Sequence, residues 1–112
     1  VKEVYTVERV SAFITAARRR FQDLSLRNVR ARHADGMIGW PELAPFDGIL
    51  ATAAPEGVPP ALLAQLTVGG RLIIPVGDAA AQRLVLVTRT TDGYRDEILD
   101  QVIFVPMRAG TQ

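Results

Sequence analysis

The sequence predicts an α/β fold with a doubly wound, mostly parallel sheet and an antiparallel strand near one edge. Segments with strand and helix patterns alternate over the first two thirds of the chain, as they do when helices cover both faces of a parallel sheet. The last two β-rich segments, residues 83–89 and 101–106, are instead joined through a turn at residues 91–94. That connection has no room for a crossover helix, so these two strands should be antiparallel neighbours.

The first half of the chain is expected to contain three strands and one helix. Residues 4–8 and 29–34 have strand patterns, and apolar residues recur at helical spacing over residues 10–24 between them. Ser11 is the expected cap near the start of this helix. Residues 46–52 are predicted to form a strand buried on both faces, as central parallel strands are.

The second half is expected to begin with a short helix and a core strand. Residues 59–66 start with two prolines, which a helix accepts in its first turn, and the glycines within residues 67–70 are expected to end this helix. Residues 71–76 are the next predicted strand. Its proline, Pro75, should mark the point where strand pairing stops.

Two of the predicted strands lead into a carboxylate. Glu8 ends the first strand, and Asp35 follows the second. The carboxyl ends of parallel strands are where doubly wound folds bind the ribose and base of a nucleotide-like ligand. Such folds place a first strand and a glycine-rich turn upstream, whereas this sequence opens with Val1 and enters the Glu8 strand almost at once. We therefore expect one domain that lacks its first strand and glycine-rich turn.

Composition limits the chemistry that the chain can perform. At 112 residues and 48% apolar composition, it can bury one core, and it contains no cysteine for disulfides, thiolate metal sites or nucleophilic catalysis. His33 has no second histidine or cysteine with which to bind a metal, so we expect a structural role for it and no metal site. No secretory or transmembrane stretch is present, which predicts a cytoplasmic protein without a membrane partner.

The distribution of charge allows two interpretations. The net charge of +1 gives no general attraction to nucleic acid or to membranes, so no nucleic-acid partner is expected. Six arginines nevertheless fall between residues 18 and 32. We interpret them as a solvated helix face and strand edge whose long stems cover apolar surface, with a phosphate-binding patch as the alternative.

Six short motifs occur along the chain. In chain order they are Val-Tyr-Thr-Val-Glu-Arg at residues 4–9, Ala-Asp-Gly at 34–36, Gly-Trp-Pro at 39–41, Ala-Pro-Phe-Asp-Gly-Ile-Leu-Ala-Thr-Ala-Ala-Pro at 44–55, Gly-Gly-Arg-Leu-Ile-Ile-Pro-Val-Gly at 69–77 and Phe-Val-Pro-Met at 104–107. In this order, and over essentially the whole chain, the sequence resembles the protein-L-isoaspartate O-methyltransferase family.

This resemblance implies a Rossmann-like class I methyltransferase fold, with residues 1–112 as the C-terminal portion of a single methyltransferase domain. It implies methyl transfer from S-adenosylmethionine to the free carboxylate of L-isoaspartyl residues in damaged proteins or peptides, with S-adenosylhomocysteine as the product. A carboxylate with a pKa of about 4 is ionised at neutral pH and needs no general base. Catalysis can rest on alignment of the reacting groups, worth up to ~7–11 kcal/mol in favourable cases. No catalytic residue is assigned to this chain, because the hydroxyl residue of the family would precede Val1.

The resemblance implies that the cofactor is bound at the ends of the predicted strands. Glu8, followed by Arg9, would accept hydrogen bonds from the two ribose hydroxyls. Asp35 would meet the adenine amino group, and Gly36 would leave room for the ring. From the residues alone, the alternatives are an acid beside a helix N-terminus for Glu8 and an ordinary Asp-Gly turn for Asp35.

The remaining site residues follow the later strands. Thr52 and Ala53 would contact the cofactor and form part of the floor beneath cofactor and substrate. The substrate-binding residues implied by the resemblance are Ala54, Pro55, Pro75, Val76, Gly77, Phe104 and Val105. Core packing is the alternative explanation for Phe104 and Val105. Trp40 is expected to fill space beneath its loop rather than to close over the ligand.

Two other functions stay open at this point. A related methyltransferase acting on RNA or a small molecule is favoured only by the arginines of the first third. A non-enzymatic truncated chain, which keeps part of the fold, is the other alternative. Without a central strand, the strands at residues 4–8 and 46–52 would have unpaired edges, so pairing with another chain through these edges is expected.

Overall fold

The computed structural model describes residues 2–112, which form two compact units. The first unit contains residues 2–36 together with Ala109–Gln112, and the second contains Met37–Arg108. Within the described residues, no helix has both the length and the apolar character needed to cross a membrane.

The first unit is a strand, a helix and a second strand. These are β1 (Val4–Glu8), α1 (Ser11–Asp23) and β2 (Val29–His33). β1 and β2 pair in parallel, as predicted, with Glu8 opposite His33 at their carboxyl ends. Ile14 of α1 is buried, which agrees with the apolar positions expected for this helix.

Ser11 does not cap α1, so the predicted cap is wrong. Val10 occupies the N-cap position, and no side chain caps the helix. Ser11 is instead the first helical residue, and its N–H donates a hydrogen bond to the main-chain oxygen of Gln112 at 3.0 Å. A helix start needs an acceptor for each of its free N–H groups, and here a distant main-chain carbonyl supplies one.

The second unit is dominated by a mixed sheet. Its elements are a 3-10 turn (Pro41–Leu43), β3 (Phe46–Leu50), β4 (Ala53–Ala54), α2 (Pro60–Ala64), β5 (Leu66–Gly77), β6 (Gln82–Arg89), β7 (Tyr94–Val102) and β8 (Val105–Pro106). The order in the sheet is β3-β5-β6-β7, with β3 and β5 parallel and β6 antiparallel to both of its neighbours. The predicted antiparallel strand near one edge is therefore present. β4 and β8 form a separate parallel pair.

The core of the second unit lies where α2 packs against β5. Its buried members are Ala51, Leu62, Leu66, Leu72, Ile74 and Val87. Burying several aliphatic side chains in one cluster supplies the main favourable term for this unit, at ~25 cal/mol per Å² of apolar surface removed from water.

The boundary between α2 and β5 differs from the prediction. The helix ends at Ala64 with Gln65 as its C-cap, and residues 67–70 belong to β5 instead of ending the helix. Leu66 is fully buried and pairs with Phe46 of β3. Burial of Leu66 and its ladder position therefore outweigh the preference of the following glycines for a helix end.

Pro75 does not stop strand pairing, because β5 continues opposite β6 as far as Gly77. The oxygen of Ile73 accepts a hydrogen bond from the N–H of Ala51 at 2.9 Å. The N–H of Gly77 donates to the oxygen of Pro55, also at 2.9 Å. Alternate residues of a strand direct their backbone groups to the same side, so Pro75 turns its nitrogen away from β6. Its missing N–H therefore costs no hydrogen bond in the β5–β6 ladder.

Two further expectations about strands are wrong. β3 is an edge strand, and only Phe46 and Ile49 are half-buried, while Leu50 is 71% exposed. Each face of β3 thus has one half-buried side chain at most, so the prediction of burial on both faces is wrong. The last predicted strand, residues 101–106, is not one strand. Its first two residues end β7, which begins directly after the tight turn at Gly93, and Val105 and Pro106 form β8.

Candidate functional site

The two acidic residues predicted to bind the cofactor lie at one edge of the β1–β2 pair. The N–H of Ala34 donates a hydrogen bond to the main-chain oxygen of Glu8 at 3.0 Å, which continues the parallel ladder past Glu8. Asp35 is the next residue along the chain. Neighbouring strands are ~4.8 Å apart, so the register brings both acids to adjacent strand ends.

Glu8 is half-buried and still has acceptor capacity. Its Oε1 accepts one hydrogen bond, from the N–H of Val10 at 3.2 Å. A carboxylate offers about four lone-pair sites on its two oxygens, so Glu8 can accept further hydrogen bonds. The bond from Val10 orients the carboxylate beside the first turn of α1.

Arg9, the next predicted residue, binds the end of the chain in this structure. Its Nη1 donates to Oε1 of Gln112 at 3.3 Å, and its main-chain oxygen accepts from the N–H of Gln112 at 2.6 Å. Its Nε is buried and has no hydrogen-bond partner among the described residues. A buried donor without a partner is costly.

Asp35 and Gly36 follow the carboxyl end of β2. Oδ2 of the half-buried Asp35 accepts a hydrogen bond from the N–H of Gly110 at 2.8 Å. At Gly36, an added Cβ would meet no atom of the described chain within 4 Å. The space beside Gly36 is therefore open in this structure.

Residues 109–112 border this edge, which the sequence did not indicate. His33 Nε2 lies 2.8 Å from the main-chain oxygen of Arg9 and 3.1 Å from that of Gln112. Both partners are acceptors, so Nε2 carries the proton. These two contacts are of the kind that a structural role for His33 would use. Its contacts, together with that between Gly110 and Asp35, hold the segment beside the two acids.

The arginines of the first unit are partly engaged in local contacts. Arg18 Nη2 donates to the main-chain oxygen of Ala31 at 2.8 Å, which ties α1 to β2. Arg30 Nε lies 3.9 Å from Oε2 of Glu3. These contacts agree with the interpretation of a solvated helix face and strand edge.

The remaining predicted site residues belong to the second unit, where three segments meet. Ala53 pairs with Val105, and Ala54 pairs with Pro106, in the short β4–β8 ladder. The bond from the N–H of Gly77 to Pro55 joins the end of β5 to the same place. The structure therefore brings together residues 53–55, 75–77 and 104–106.

Members of this group differ in exposure. Ala54, Pro55 and Pro75 are buried, and Ala53, Val76, Gly77 and Phe104 are half-buried, whereas Thr52 is exposed and Val105 is 68% exposed. The buried members support the floor of the group. The exposed ones present apolar and hydroxyl groups to solvent, where a ligand could reach them.

Gln82 is a central residue of this group that sequence reasoning missed. It is 4% exposed and stands opposite Gly77 at the start of β6. Its Nε2 donates to the main-chain oxygen of Phe104 at 3.0 Å, and its Oε1 accepts from the N–H of Phe104 at 2.6 Å. The available signal was weak, since it consists of one glutamine at the border of an apolar run.

The hairpin between β5 and β6 depends on Gly77 and Asp78. Gly77 has φ of 143°, and a Cβ there would collide with the main-chain oxygen of Ala81. Oδ1 of Asp78 accepts hydrogen bonds from the N–H groups of Ala80 at 2.8 Å and Ala81 at 3.0 Å. These two bonds hold the pKa of Asp78 below its ordinary value, because they favour the ionised carboxylate.

A second buried glutamine holds the loop around Trp40. Gln65 Nε2 donates to the main-chain oxygen of Ile38 at 2.7 Å, and its Oε1 accepts from the N–H of Trp40 at 2.9 Å. At Gly39, whose φ is 71°, a Cβ would approach this amide too closely. The loop is therefore held by its backbone, and Trp40 is half-buried.

The parallel β1–α1–β2 unit with acids at its strand ends, and the mixed sheet with its reversed β6, define a Rossmann-like class I methyltransferase fold. The model of the family Protein-L-isoaspartate(D-aspartate) O-methyltransferase (PCMT) matches residues 1–112. The chain belongs to this family, and the resemblance of its motifs is confirmed.

Similar proteins agree with this assignment. The chain is 50% identical over 105 residues to Protein-L-isoaspartate O-methyltransferase 1 of Nitrosococcus oceani, covering 93% of this chain and 49% of the relative. It is 48% identical over 110 residues to the Protein-L-isoaspartate O-methyltransferase of Halorhodospira halophila, covering 98% and 50%. The chain thus spans about half the length of the curated relatives it matches.

Two solved structures have the same fold. One is a protein-L-isoaspartate O-methyltransferase from Plasmodium falciparum in complex with S-adenosyl-L-homocysteine, with a TM-score of 0.82 and 25% identity over 95% of this chain and 52% of that one. The other is a protein-L-isoaspartate O-methyltransferase with a TM-score of 0.88 and 27% identity, covering 96% of this chain and 34% of that one.

Proposed function

We propose that a larger parent protein containing this chain transfers a methyl group from S-adenosylmethionine to the free carboxylate of L-isoaspartyl residues in damaged proteins. Residues 1–112 are the C-terminal portion of its single methyltransferase domain. The observation that carries the proposal is the match of the family over the whole chain, in which Glu8 and Asp35 stand at neighbouring parallel strand ends. The similar proteins of Nitrosococcus oceani and Halorhodospira halophila, named protein-L-isoaspartate O-methyltransferases and each about twice as long, support it.

The residues of the first unit fit an adenosyl group. Glu8 has acceptor capacity for two ribose hydroxyls, and the open space at Gly36 suits a flat ring beside Asp35. The Plasmodium falciparum relative with bound S-adenosyl-L-homocysteine supports the same cofactor here. Thr52 and Ala53 retain the cofactor role that the resemblance implies.

The residues of the second unit fit a peptide substrate. The buried residues Ala54, Pro55 and Pro75 form a floor beneath the group, and Val105 offers exposed apolar surface next to them. Val76, Gly77 and Phe104 complete the group. The half-buried Phe104 side chain also serves packing, so its binding role is part of this proposal.

Methyl transfer to a carboxylate requires no acid or base from these side chains. The bound cofactor supplies an electrophilic methyl on a sulfonium, and a carboxylate oxygen forms the new O–CH₃ bond as the S–CH₃ bond breaks, which leaves a neutral thioether. The attacking carboxylate is already ionised at neutral pH. The chain therefore contributes by holding the adenosyl group and the peptide main chain in place, which is where alignment gains its effect. We also propose that the parent protein acts in the cytoplasm.

A paired-peptide assay tests the proposal. The full-length parent is supplied with radiolabelled S-adenosylmethionine and a peptide that contains either L-isoaspartate or normal aspartate at one position. We expect base-labile methyl ester on the isoaspartyl peptide and background label on its twin. Equal labelling of the two peptides, or label on neither, would contradict the proposal.

A further inference from the structure

The segment that carries Phe104 and Val105 has no strand partner at its first residue. β7 ends at Val102 and β8 begins at Val105, so Phe104 lies between two strands. A residue at such a position leaves its N–H and C=O outside the sheet ladders, and half-buried backbone groups need partners. In this structure both groups of Phe104 are bound by one side chain.

That side chain is Gln82, which binds Phe104 as a strand residue would. Its amide accepts from the N–H of Phe104 at 2.6 Å and donates to the oxygen of Phe104 at 3.0 Å. The main chain of Gln82 meanwhile pairs with Gly77 on one side and with Val102 on the other. Gln82 therefore joins the end of β5, the end of β7 and the start of β8.

Glutamine is the side chain that this position requires. A glutamate has the same length but lacks the donor for the Phe104 oxygen, and it would bring a charge to a site that is 4% exposed. An asparagine has both groups but is one methylene shorter. An apolar side chain of equal length fills the volume but leaves both backbone groups of Phe104 unpaired.

We propose that Gln82 is a positioning residue for peptide binding, which acts by fixing the main chain of Phe104 and thereby the location of Val105. This inference rests on the proposed function and assigns a specific role within it. Gln82 fixes Phe104, Val105 pairs with Ala53, and Gly77 stands opposite Gln82. One buried amide thus sets the distance between the substrate segments at the ends of β4, β5 and β7.

The chain provides a matched control in Gln65. This glutamine is 5% exposed and makes the same two kinds of backbone contact, to Ile38 and Trp40. Replacing either residue by methionine removes a buried amide and leaves two backbone groups unpaired. Gln82→Met and Gln65→Met should therefore lose similar amounts of thermal stability while loosening different segments.

The test compares these variants in the full-length parent. We expect Gln82→Met to raise the KM for an isoaspartyl peptide by about 5- to 10-fold, the size of effect that loss of one or two hydrogen bonds produces. The KM for S-adenosylmethionine should stay unchanged, and kcat at saturating peptide should be nearly retained, because Gln82 does not touch the reacting atoms. Gln65→Met should leave the peptide KM at its wild-type value.

Amide hydrogen exchange supplies a readout that does not depend on activity. The N–H of Phe104 should exchange faster in Gln82→Met and stay protected in Gln65→Met. If Gln82→Met does not fold, Gln82→Asn is measured in the same way, with a smaller change of the same sign. Faster Phe104 exchange with an unchanged peptide KM would overturn the role of Gln82, and so would an equal rise in both variants. An inactive wild-type parent would instead overturn the proposed function itself.

Discussion

Glu8 has two acceptor roles that one substitution can separate. Its Oε1 holds the N–H of Val10 at the start of α1, while its remaining lone pairs and its charge are available for a ligand. In Glu8→Gln the Oε1 acceptor is kept, so the start of α1 should be preserved. The charge is lost, and with it the strong acceptor that paired ribose hydroxyls prefer.

We expect Glu8→Gln to weaken binding of S-adenosylhomocysteine to the full-length parent by about 10- to 100-fold, because a hydrogen bond to a charged group contributes about 1.5–3 kcal/mol. Isothermal titration calorimetry measures this change. Glu3→Gln is the control, since Glu3 makes an exposed ion pair with Arg30 and such pairs contribute little. Equal affinities of Glu8→Gln and wild type would remove Glu8 from the cofactor site.

The charged and small residues proposed for the candidate site could be named from the sequence, whereas the buried glutamine side chains that hold its backbone could not. An acid after a strand is visible in the sequence, because strand patterns and their carboxyl ends are local features. Gln82 and Gln65 are different, since the value of a buried amide depends on which backbone groups the fold places beside it. Phe104 and Trp40 are respectively 22 and 25 residues away from these glutamines. A local sequence pattern cannot predict a hydrogen bond between residues so far apart in the chain.

At the level of elements, strand pairing decided the boundaries that sequence patterns missed. The glycines of residues 67–70 indicated a helix end, yet Leu66 is fully buried in the ladder with β3, and the strand begins there. Pro75 indicated the end of a strand, yet its nitrogen faces away from β6. Both errors arise because the conformational preference of single residues does not predict on which side of a strand another strand will pair.

The β5–β6 hairpin offers a direct test at this scale. Gly77→Ala should lower the free energy of unfolding by about 1–3 kcal/mol, because an alanine is strained at φ of 143° and its Cβ would collide with Ala81. Chemical denaturation of the full-length parent measures it. The control is Gly57→Ala, where a Cβ meets nothing within 4 Å, and the expected change stays within about 0.5 kcal/mol. Similar values for both variants would contradict the assigned geometry of the turn.

For the whole molecule, alternation and turn length were sufficient to predict a parallel sheet with a reversed strand beside one edge. They did not predict that the described strands form three sheets, of orders β1-β2, β3-β5-β6-β7 and β4-β8. A pattern of strands says which residues are extended, but the choice of neighbour depends on every other strand. Among the strands of residues 2–112, both β1 and β3 are left with an open edge.

The two edge strands of the four-stranded sheet, β3 and β7, differ in how well their side chains oppose pairing with another chain. β7 carries Arg95, Asp96, Glu97 and Asp100, and charged residues on an edge strand oppose pairing with another chain. β3 has a single charge, Asp47, and its Leu50 is 71% exposed. If the isolated chain of residues 1–112 pairs with other copies through a strand edge, as the sequence predicts, we expect β3 to be that edge.

Leu50→Lys should reduce this association, because it places a charge on the open edge without removing a buried side chain. Sedimentation velocity over a series of protein concentrations measures the effect as a shift from larger species toward monomer. Leu99→Lys is the control, since Leu99 is 46% exposed on the edge strand that is already charged. The substitution adds the same charge and should leave the distribution close to that of wild type. A wild-type chain that stays monomeric at every concentration, or equal shifts in both variants, would show that β3 is not the edge through which copies of the chain pair.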